Sequence, residues 1–60
     1  MKRITVYIGY GTQAKKIAQY EDNQIPRYDD WLVINKTEYV VKLVRYSPLE
    51  HKADITVHEV

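Results

Sequence analysis

Apolar and polar side chains alternate near both ends of the chain. Near the start, Ile4, Val6 and Ile8 are separated by a polar residue and a tyrosine. Near the end, Ile55 and Val57 repeat this spacing. Because successive side chains of a strand point to opposite faces, this period of two predicts a strand at each end, each with one buried face.

The longest apolar stretch, residues 30–46, is rich in valine, leucine, isoleucine and tyrosine. Side chains of this kind fit a pleated surface and lose rotamer freedom in a helix. The stretch is interrupted once, at Asn35-Lys36, where turn residues are favoured. It therefore predicts two antiparallel strands joined by a tight turn.

The second strand of this hairpin changes phase along its length. Tyr39 and Val41 share one phase, whereas Val44 and Tyr46 share the opposite one. A regular strand cannot place all four on one side. Either both faces are partly buried, or a β-bulge near Lys42-Leu43 resets the register and bends the strand, as a small barrel requires at its corners.

Residues 13–22 allow two interpretations. As a strand, they would pair with the first strand through the turn at Gly9–Thr12, where two glycines favour a change of direction. As a short helix over residues 13–20, they would present a weak apolar stripe in which Ile17 is the single large side chain. We favour the strand, and the helix remains the alternative.

These segments together predict an all-β fold. The predicted strands are residues 3–8, 13–22, 54–60 and the two halves of the 30–46 hairpin. A flat sheet of this size would leave exposed edges, which favour aggregation. We therefore predict a small five-stranded, antiparallel open barrel of the SH3-like type, in which residues 1–60 form one domain and the first and last strands meet.

Composition and charge further limit the classes of protein to which the chain could belong. A chain of 60 residues without cysteine has a small core and no disulfide to support it. The net charge of +1 is unevenly distributed, since residues 1–20 contain four basic and no acidic residues, and residues 21–40 contain two basic and five acidic residues. No apolar run approaches the roughly 18 residues of a membrane span. We expect a cytoplasmic protein with no membrane partner.

The sequence offers no convincing catalytic or metal-binding set. Ser47, His51 and Asp54 would need a shared pocket and mutual hydrogen bonds to act as a nucleophile site. The histidines and carboxylates near the last strand have no known ligand spacing. They are His51, His58, Glu50, Asp54 and Glu59. We expect no enzymatic activity, no metal and no cofactor.

Aromatic residues are the most unusual feature, since the chain has six tyrosines, one tryptophan and no phenylalanine. Tyrosine packs as phenylalanine does but keeps a hydroxyl for water or a partner. The predicted core or its margin contains Tyr28, Tyr39 and Tyr46. The predicted exposed aromatic residues, which we take as a candidate protein-binding set, are Tyr7, Tyr10 and Trp31.

One part of the sequence resembles a known pattern. Residues Ile25-Pro26-Arg27-Tyr28-Asp29-Asp30-Trp31-Leu32-Val33-Ile34, followed by Tyr39-Val40-Val41-Lys42-Leu43-Val44-Arg45-Tyr46, are similar to short uncharacterised proteins of phage and bacterial mobile-element genomes. The resemblance implies a small SH3-like barrel and a phage or prophage origin, and it implies no activity. The chain departs from the pattern at Asp29, where the pattern prefers glycine.

Two functions follow as hypotheses. The first is a protein-binding module, encoded by a phage or mobile element, that binds a host protein in the host cytoplasm or associates with a second copy of itself. The alternative is a nucleic-acid-binding barrel, with Tyr7 and Tyr10 as stacking platforms. Its phosphate contacts would be Lys2, Arg3, Lys15 and Lys16.

Overall fold

A computed structural model describes all residues from Met1 to Val60. It contains five strands and two single-turn 3₁₀ helices, so the all-β prediction is confirmed. The strands are β1 (Lys2–Ile8), β2 (Lys15–Asp22), β3 (Trp31–Ile34), β4 (Thr37–Ser47) and β5 (Lys52–Glu59). The 3₁₀ helices are Gly11–Gln13 and Pro48–Glu50.

The five strands form one sheet in the order β2-β1-β5-β4-β3, which curls into an open half-barrel. The first and last strands meet, as the sequence predicts, but β1 and β5 run parallel. The sheet is therefore mixed, whereas we expected antiparallel pairing throughout. A parallel pair needs a long connection between its strands, and β2, β3 and β4 together provide one.

Residues Lys15–Asp22 form a strand, and the alternative helix over residues 13–20 is not found. Pairing with β1 sets Ala18 beside Val6, on the side of the sheet that carries the core. The register shifts between Val6 and Tyr7, and this irregularity lets Ile17 pack against the core as well. A helix would have offered the core only one large side chain, so the strand buries more apolar surface.

The predicted tight turn lies between β3 and β4. Ile34 pairs with Thr37, and the two residues between them, Asn35 and Lys36, have φ angles of 51° and 67°. Two successive positive φ values match the right-handed twist of the flanking strands, which explains why a two-residue connection suffices.

Of the two alternatives for the second strand of the hairpin, the β-bulge is present. Val41 lies opposite Val57 and Leu43 lies opposite Thr56, so Lys42 is the extra residue. The bulge brings Val44 into the same phase as Val41. Tyr39, Val41, Val44 and Tyr46 therefore share the inner side of β4 as the strand follows the curl of the half-barrel, while Val40 and Leu43 point to the opposite side.

The core occupies the inner, concave side of the sheet, which we call the inner face. Six apolar side chains are fully buried there, and partly buried residues such as Leu32 and Tyr39 pack against them. The fully buried residues are Ile4, Val6, Val41, Ala53, Ile55 and Val57. The opposite side of the sheet is the outer face.

Asp29 takes the conformation for which the resembling pattern uses glycine. Its φ is 71°, in the left-handed region that aspartate tolerates better than most residues. Its backbone N–H donates to the carbonyl of Val41 at 2.8 Å, and the Val41 N–H donates to the carbonyl of Asp30 at 2.9 Å. The departure from glycine thus leaves this turn able to continue the pairing of β3 with β4.

No helix in the structure is both long enough and apolar enough to cross a membrane.

Candidate outer-face binding surface

The outer face carries a row of side chains that crosses three strands. His58 on β5 is the register partner of Val40 on β4, and Val40 is the register partner of Trp31 on β3. Register partners in a sheet point to the same face and lie about 5 Å apart. These three side chains are therefore neighbours, and they lie away from the core.

A fourth residue joins this row from the loop between β1 and β2. The Tyr10 hydroxyl lies 2.9 Å from His58 Nε2, and the two rings meet edge to face with their centroids 5.5 Å apart. Gly9 and Gly11 direct the loop, with φ angles of 90° and 60°. A side chain at Gly9 would lie 2.9 Å from the Gln13 carbonyl oxygen, so the close return of the loop requires glycine there.

A parallel row lies beside the first. Tyr7 on β1 is the partner of Thr56 on β5, and Thr56 is the partner of Leu43 on β4. Tyr7 is half-buried, whereas Leu43 is exposed. The large side chains of the two rows, together with Val33 on β3, form one partly aromatic surface, the outer-face patch. Its members are Tyr7, Tyr10, Trp31, Val33, Val40, Leu43 and His58.

The aromatic residues of the patch are open to solvent at its two ends. Tyr10 keeps 53% of its surface exposed and Trp31 keeps 63%. Val33, two residues along β3 from Trp31, keeps 70%. Burial of large apolar side chains is the main source of favourable free energy in protein association. A partner that covered these residues would therefore gain binding free energy from each of them.

A concavity of about 340 Å³ lies between the β1–β2 loop and the outer face. Its polar lining includes Arg45 and Asp54, which are register partners on β4 and β5. The salt bridges of the structure lie elsewhere, joining Lys42 to Asp29 and Lys52 to Glu50, so both charges remain available to a partner. The aromatic patch thus has a polar margin that would orient a bound molecule.

The three aromatic residues predicted as a binding set share the outer face. Tyr7 was expected to be exposed and is half-buried. Tyr28 and Tyr46 were expected in the core or at its margin, and they keep 64% and 44% of their surface exposed. Tyr39 does pack against the core. Tyr46 points to the inner face, but β3 ends before it can cover this part of β4.

The four basic residues of the nucleic-acid hypothesis lie on one hairpin but not together. Lys2 and Arg3 are opposite Asp22 and Glu21, and the Lys2 ammonium donates to the Asn23 carbonyl at 3.1 Å. The other two, Lys15 and Lys16, lie at the far end of β1, about 17 Å away at the usual rise of a strand. Neighbouring carboxylates and this separation weaken the positive field that a phosphate backbone would meet.

The residues considered for catalysis do not form a constellation. No hydrogen bond joins the side chains of Ser47, His51 and Asp54. His51 instead ends the second 3₁₀ helix with a φ of 53°. The histidines and carboxylates near β5 do not form a group of three or more that could hold a metal ion.

His58 was not among the residues predicted for a binding surface. Its phase along β5, shared with Thr56, indicates the outer face. What the sequence could not show is that Tyr10, 48 positions earlier, folds back to meet it. That contact depends on the position of the β1–β2 loop relative to β5 in the folded sheet.

No family model matches the chain, and neither a curated protein nor a solved structure matches it. The functional proposal therefore depends on the surface of the molecule.

Proposed function

We propose that the protein is a non-enzymatic binding module whose outer-face patch docks on a partner protein. The observation that carries the proposal is the row formed by Tyr10, His58, Val40 and Trp31 across the sheet. Tyrosine and tryptophan are enriched among residues that dominate binding energy. A contiguous exposed patch of this kind on a small protein is typical of an interaction site.

The position of the patch favours tight association. Its central residues lie on paired strands, so little conformational entropy is lost when they are covered. Tyrosine and tryptophan also provide a large contact area with only two rotatable side-chain bonds each. Arg45 and Asp54 beside the patch would fix the orientation of the partner through opposite charges.

The resemblance to phage and mobile-element proteins extends this proposal. The partner would be a host protein in the host cytoplasm or a second copy of the chain. The genes that flank this one would test the origin. Tail or capsid genes on either side would indicate a role in the virion, early genes would indicate interference with the host, and ordinary chromosomal genes would contradict a phage origin.

The binding proposal is tested by capture with matched variants. Tagged wild-type protein is incubated with lysate of the organism that carries the gene, and captured proteins are quantified by mass spectrometry. Trp31→Ala and Tyr10→Ala should each reduce recovery of the specific partner about tenfold or more, the effect of losing a residue that dominates binding. The control is Leu49→Ala, since Leu49 is 96% exposed and lies outside the patch.

Two outcomes would contradict the proposal. One is recovery that never exceeds the tag-only background, together with a monomer at every concentration in sedimentation equilibrium. The other is a partner or self-association that Trp31→Ala and Tyr10→Ala leave unchanged.

Nucleic-acid binding is the competing proposal, and a separate measurement distinguishes it. If the protein binds nucleic acid, it should retard single- or double-stranded probes in a gel at low salt. This binding should weaken steeply as the salt concentration rises, and also when Lys15 and Lys16 are changed to glutamate. The outer-face proposal instead predicts no retardation at low salt.

A further inference from the structure

Strand β4 is much longer than its neighbour β3, so part of it has only one paired edge. β3 pairs with β4 from Thr37 to Val40, and Val41 bonds to Asp29 and Asp30. Beyond this point β4 pairs with β5 alone. The last part of β4 therefore has an edge with no strand beside it.

The alternation of the ladder identifies the backbone groups on this edge. Val41 directs both its N–H and its C=O away from β5, toward Asp29 and Asp30. In an antiparallel pair, every second residue does the same. The extra residue Lys42 shifts this count by one, so Val44 and Tyr46 are the next residues whose backbone groups face the open edge.

A groove of about 520 Å³ runs beside this edge. The loop before β3 forms one wall and β4 forms the other. The lining residues are Ile25, Pro26, Arg27 and Tyr28 on the loop, and Lys42, Leu43, Val44 and Tyr46 on the strand. We call this the β4 groove. It combines open backbone groups with exposed apolar and aromatic side chains, the two features that recognise an added strand.

The open edge is limited at both ends. The bulge at Lys42 interrupts it at one end, and Pro48 ends β4 at the other. Bulges, lysines and prolines are the usual devices that prevent open-ended pairing of edge strands. What remains between them is about 17 Å long at the rise of a strand, enough for one short segment.

The charges of the groove indicate the chemistry of its occupant. The two charged residues of the lining, Arg27 and Lys42, are both basic. Lys42 lies 3.4 Å from Asp29 and also over the ring of Tyr28, at 5.5 Å from its centroid. Arg27 forms no salt bridge, so its guanidinium is free to pair with a carboxylate of the occupant.

We infer that the β4 groove binds a short extended segment of a partner protein, with apolar side chains at alternate positions and at least one acidic residue. The segment adds a strand to β4 by bonding to the backbone of Val44 and Tyr46. Its apolar side chains pack against Pro26 and Tyr28, and its carboxylate meets Arg27. The groove shares Leu43 with the outer-face patch but contains none of its aromatic residues. This inference therefore goes beyond the outer-face proposal, and variants of Arg27 and Trp31 distinguish the two.

The test begins with selection from a library of random heptapeptides displayed on phage, using the full-length protein as the immobilised target. The expected enrichment is for peptides with an acidic residue and alternating apolar residues. The enriched peptide is then synthesised, and its affinity is measured by fluorescence anisotropy for wild type, Arg27→Glu and Leu49→Ala. Arg27→Glu should weaken binding about tenfold, because a charge-assisted pair is replaced by repulsion. The exposed-site control should bind as wild type does.

Two series of N-methylated peptides test the added strand itself. A strand that pairs along one edge bonds through only every second amide. Methylation of the amides that face β4 should therefore weaken binding about tenfold or more. Methylation of the intervening amides, which face away from β4, should have little effect. In nitrogen–proton NMR spectra, the amide protons of Val44 and Tyr46 should become protected from solvent exchange when the peptide binds.

Several outcomes would overturn the inference. They are a selection without enrichment, peptides that tolerate methylation of both sets of amides, and NMR changes confined to the outer face. A peptide whose affinity falls with Trp31→Ala but not with Arg27→Glu would assign peptide binding to the outer-face patch instead. Self-association of the wild type that Val44→Asp abolishes would replace the partner segment with a second copy of the chain.

Discussion

At the scale of single residues, Lys36 is held in a backbone conformation that suits another amino acid. Its φ of 67° lies in the left-handed region, where a Cβ atom is crowded by the backbone. We predict that Lys36→Gly raises the free energy of unfolding by about 0.5–1 kcal/mol, since Asn-Gly is the preferred pair for a two-residue hairpin turn. The measurement is urea unfolding followed by tryptophan fluorescence.

The matched control at the same position is Lys36→Ala. It removes the charge and most of the side chain but keeps the Cβ, so the backbone strain remains and no gain is expected. Equal stabilisation by both variants would show that the lysine charge, rather than the positive φ, limits stability at this turn.

Tyr20 gives the protein a pH dependence at the alkaline end. Burial raises the pKa of its phenol above the ordinary value of 10.0, and the Asp22 carboxylate raises it further. Because the unfolded chain loses this proton first, the contribution of Tyr20 to stability is complete below the unfolded pKa. It is then lost as the pH rises through the folded pKa.

We therefore predict a steeper loss of stability for wild type than for Tyr20→Phe between about pH 9 and about pH 11, the range in which tyrosine begins to ionise. Urea midpoints for the two proteins across this range provide the measurement. Parallel curves would indicate that the folded and unfolded states bind the Tyr20 proton equally.

At the scale of elements, the bulge in β4 lets apolar side chains before and after it face the same core. Val41 and Val44 both face inward because Lys42 adds a residue between them. Deletion of Lys42 would restore regular alternation with both side chains still inward. We predict that this variant folds with a loss of about 1–3 kcal/mol, the cost of most single changes, because the bend contributed by the bulge is lost.

A deletion two positions earlier provides the contrast. Removal of Val40 changes the phase of Val41 relative to Tyr39, and Tyr39 packs against the core. A one-residue slip moves a side chain to the opposite face, so this variant should fail to fold. Circular dichroism and proton NMR dispersion would distinguish the two. The interpretation of the bulge would be wrong if removal of Lys42 unfolded the protein and removal of Val40 did not.

At the scale of the whole molecule, stability depends on very few side chains. Six apolar residues are fully buried, and Ile55 lies at their centre, on the middle strand of the sheet. A core of this size rarely provides more than about 3–5 kcal/mol. Ile55→Ala should cost about 2–5 kcal/mol, so we predict that it is largely unfolded at 25 °C.

The comparison variant is Val33→Ala, at a side chain that is 70% exposed on β3. Substitutions at such sites change stability by less than about 0.5 kcal/mol. Thermal melts of both variants test the pair. A folded Ile55→Ala variant with a melting temperature near that of wild type would show that another part of the molecule supports the fold.

Local pattern predicted much of this fold. Alternation located the strands at the two ends of the chain, Asn35-Lys36 located the hairpin turn, and the change of phase between Val41 and Val44 gave the bulge as one of two alternatives. Each of these features depends on neighbours in the sequence, since the period of a strand and the φ preference of a turn are local properties.

The candidate site was predictable only in part. The phase of Tyr7 and Trp31 indicated that they avoid the core, and both lie on the outer face. The exposure of Tyr28 and Tyr46 could not be predicted, because it depends on where β3 stops covering β4. The division of the basic residues between two ends of a hairpin likewise depended on the register of β1 with β2.

The sequence by itself determined the strands at both ends of the chain, the central hairpin with its turn, and which of their side chains alternate toward a core. It left residues 13–22 open between strand and helix and the bulge in β4 as one of two alternatives. Only the tertiary structure decided that β1 and β5 run parallel, that Tyr10 meets His58, and that β4 keeps an open edge. The reason is physical. Side-chain alternation is fixed over a few residues, whereas strand pairing and coverage depend on distant segments that compete for the same small core.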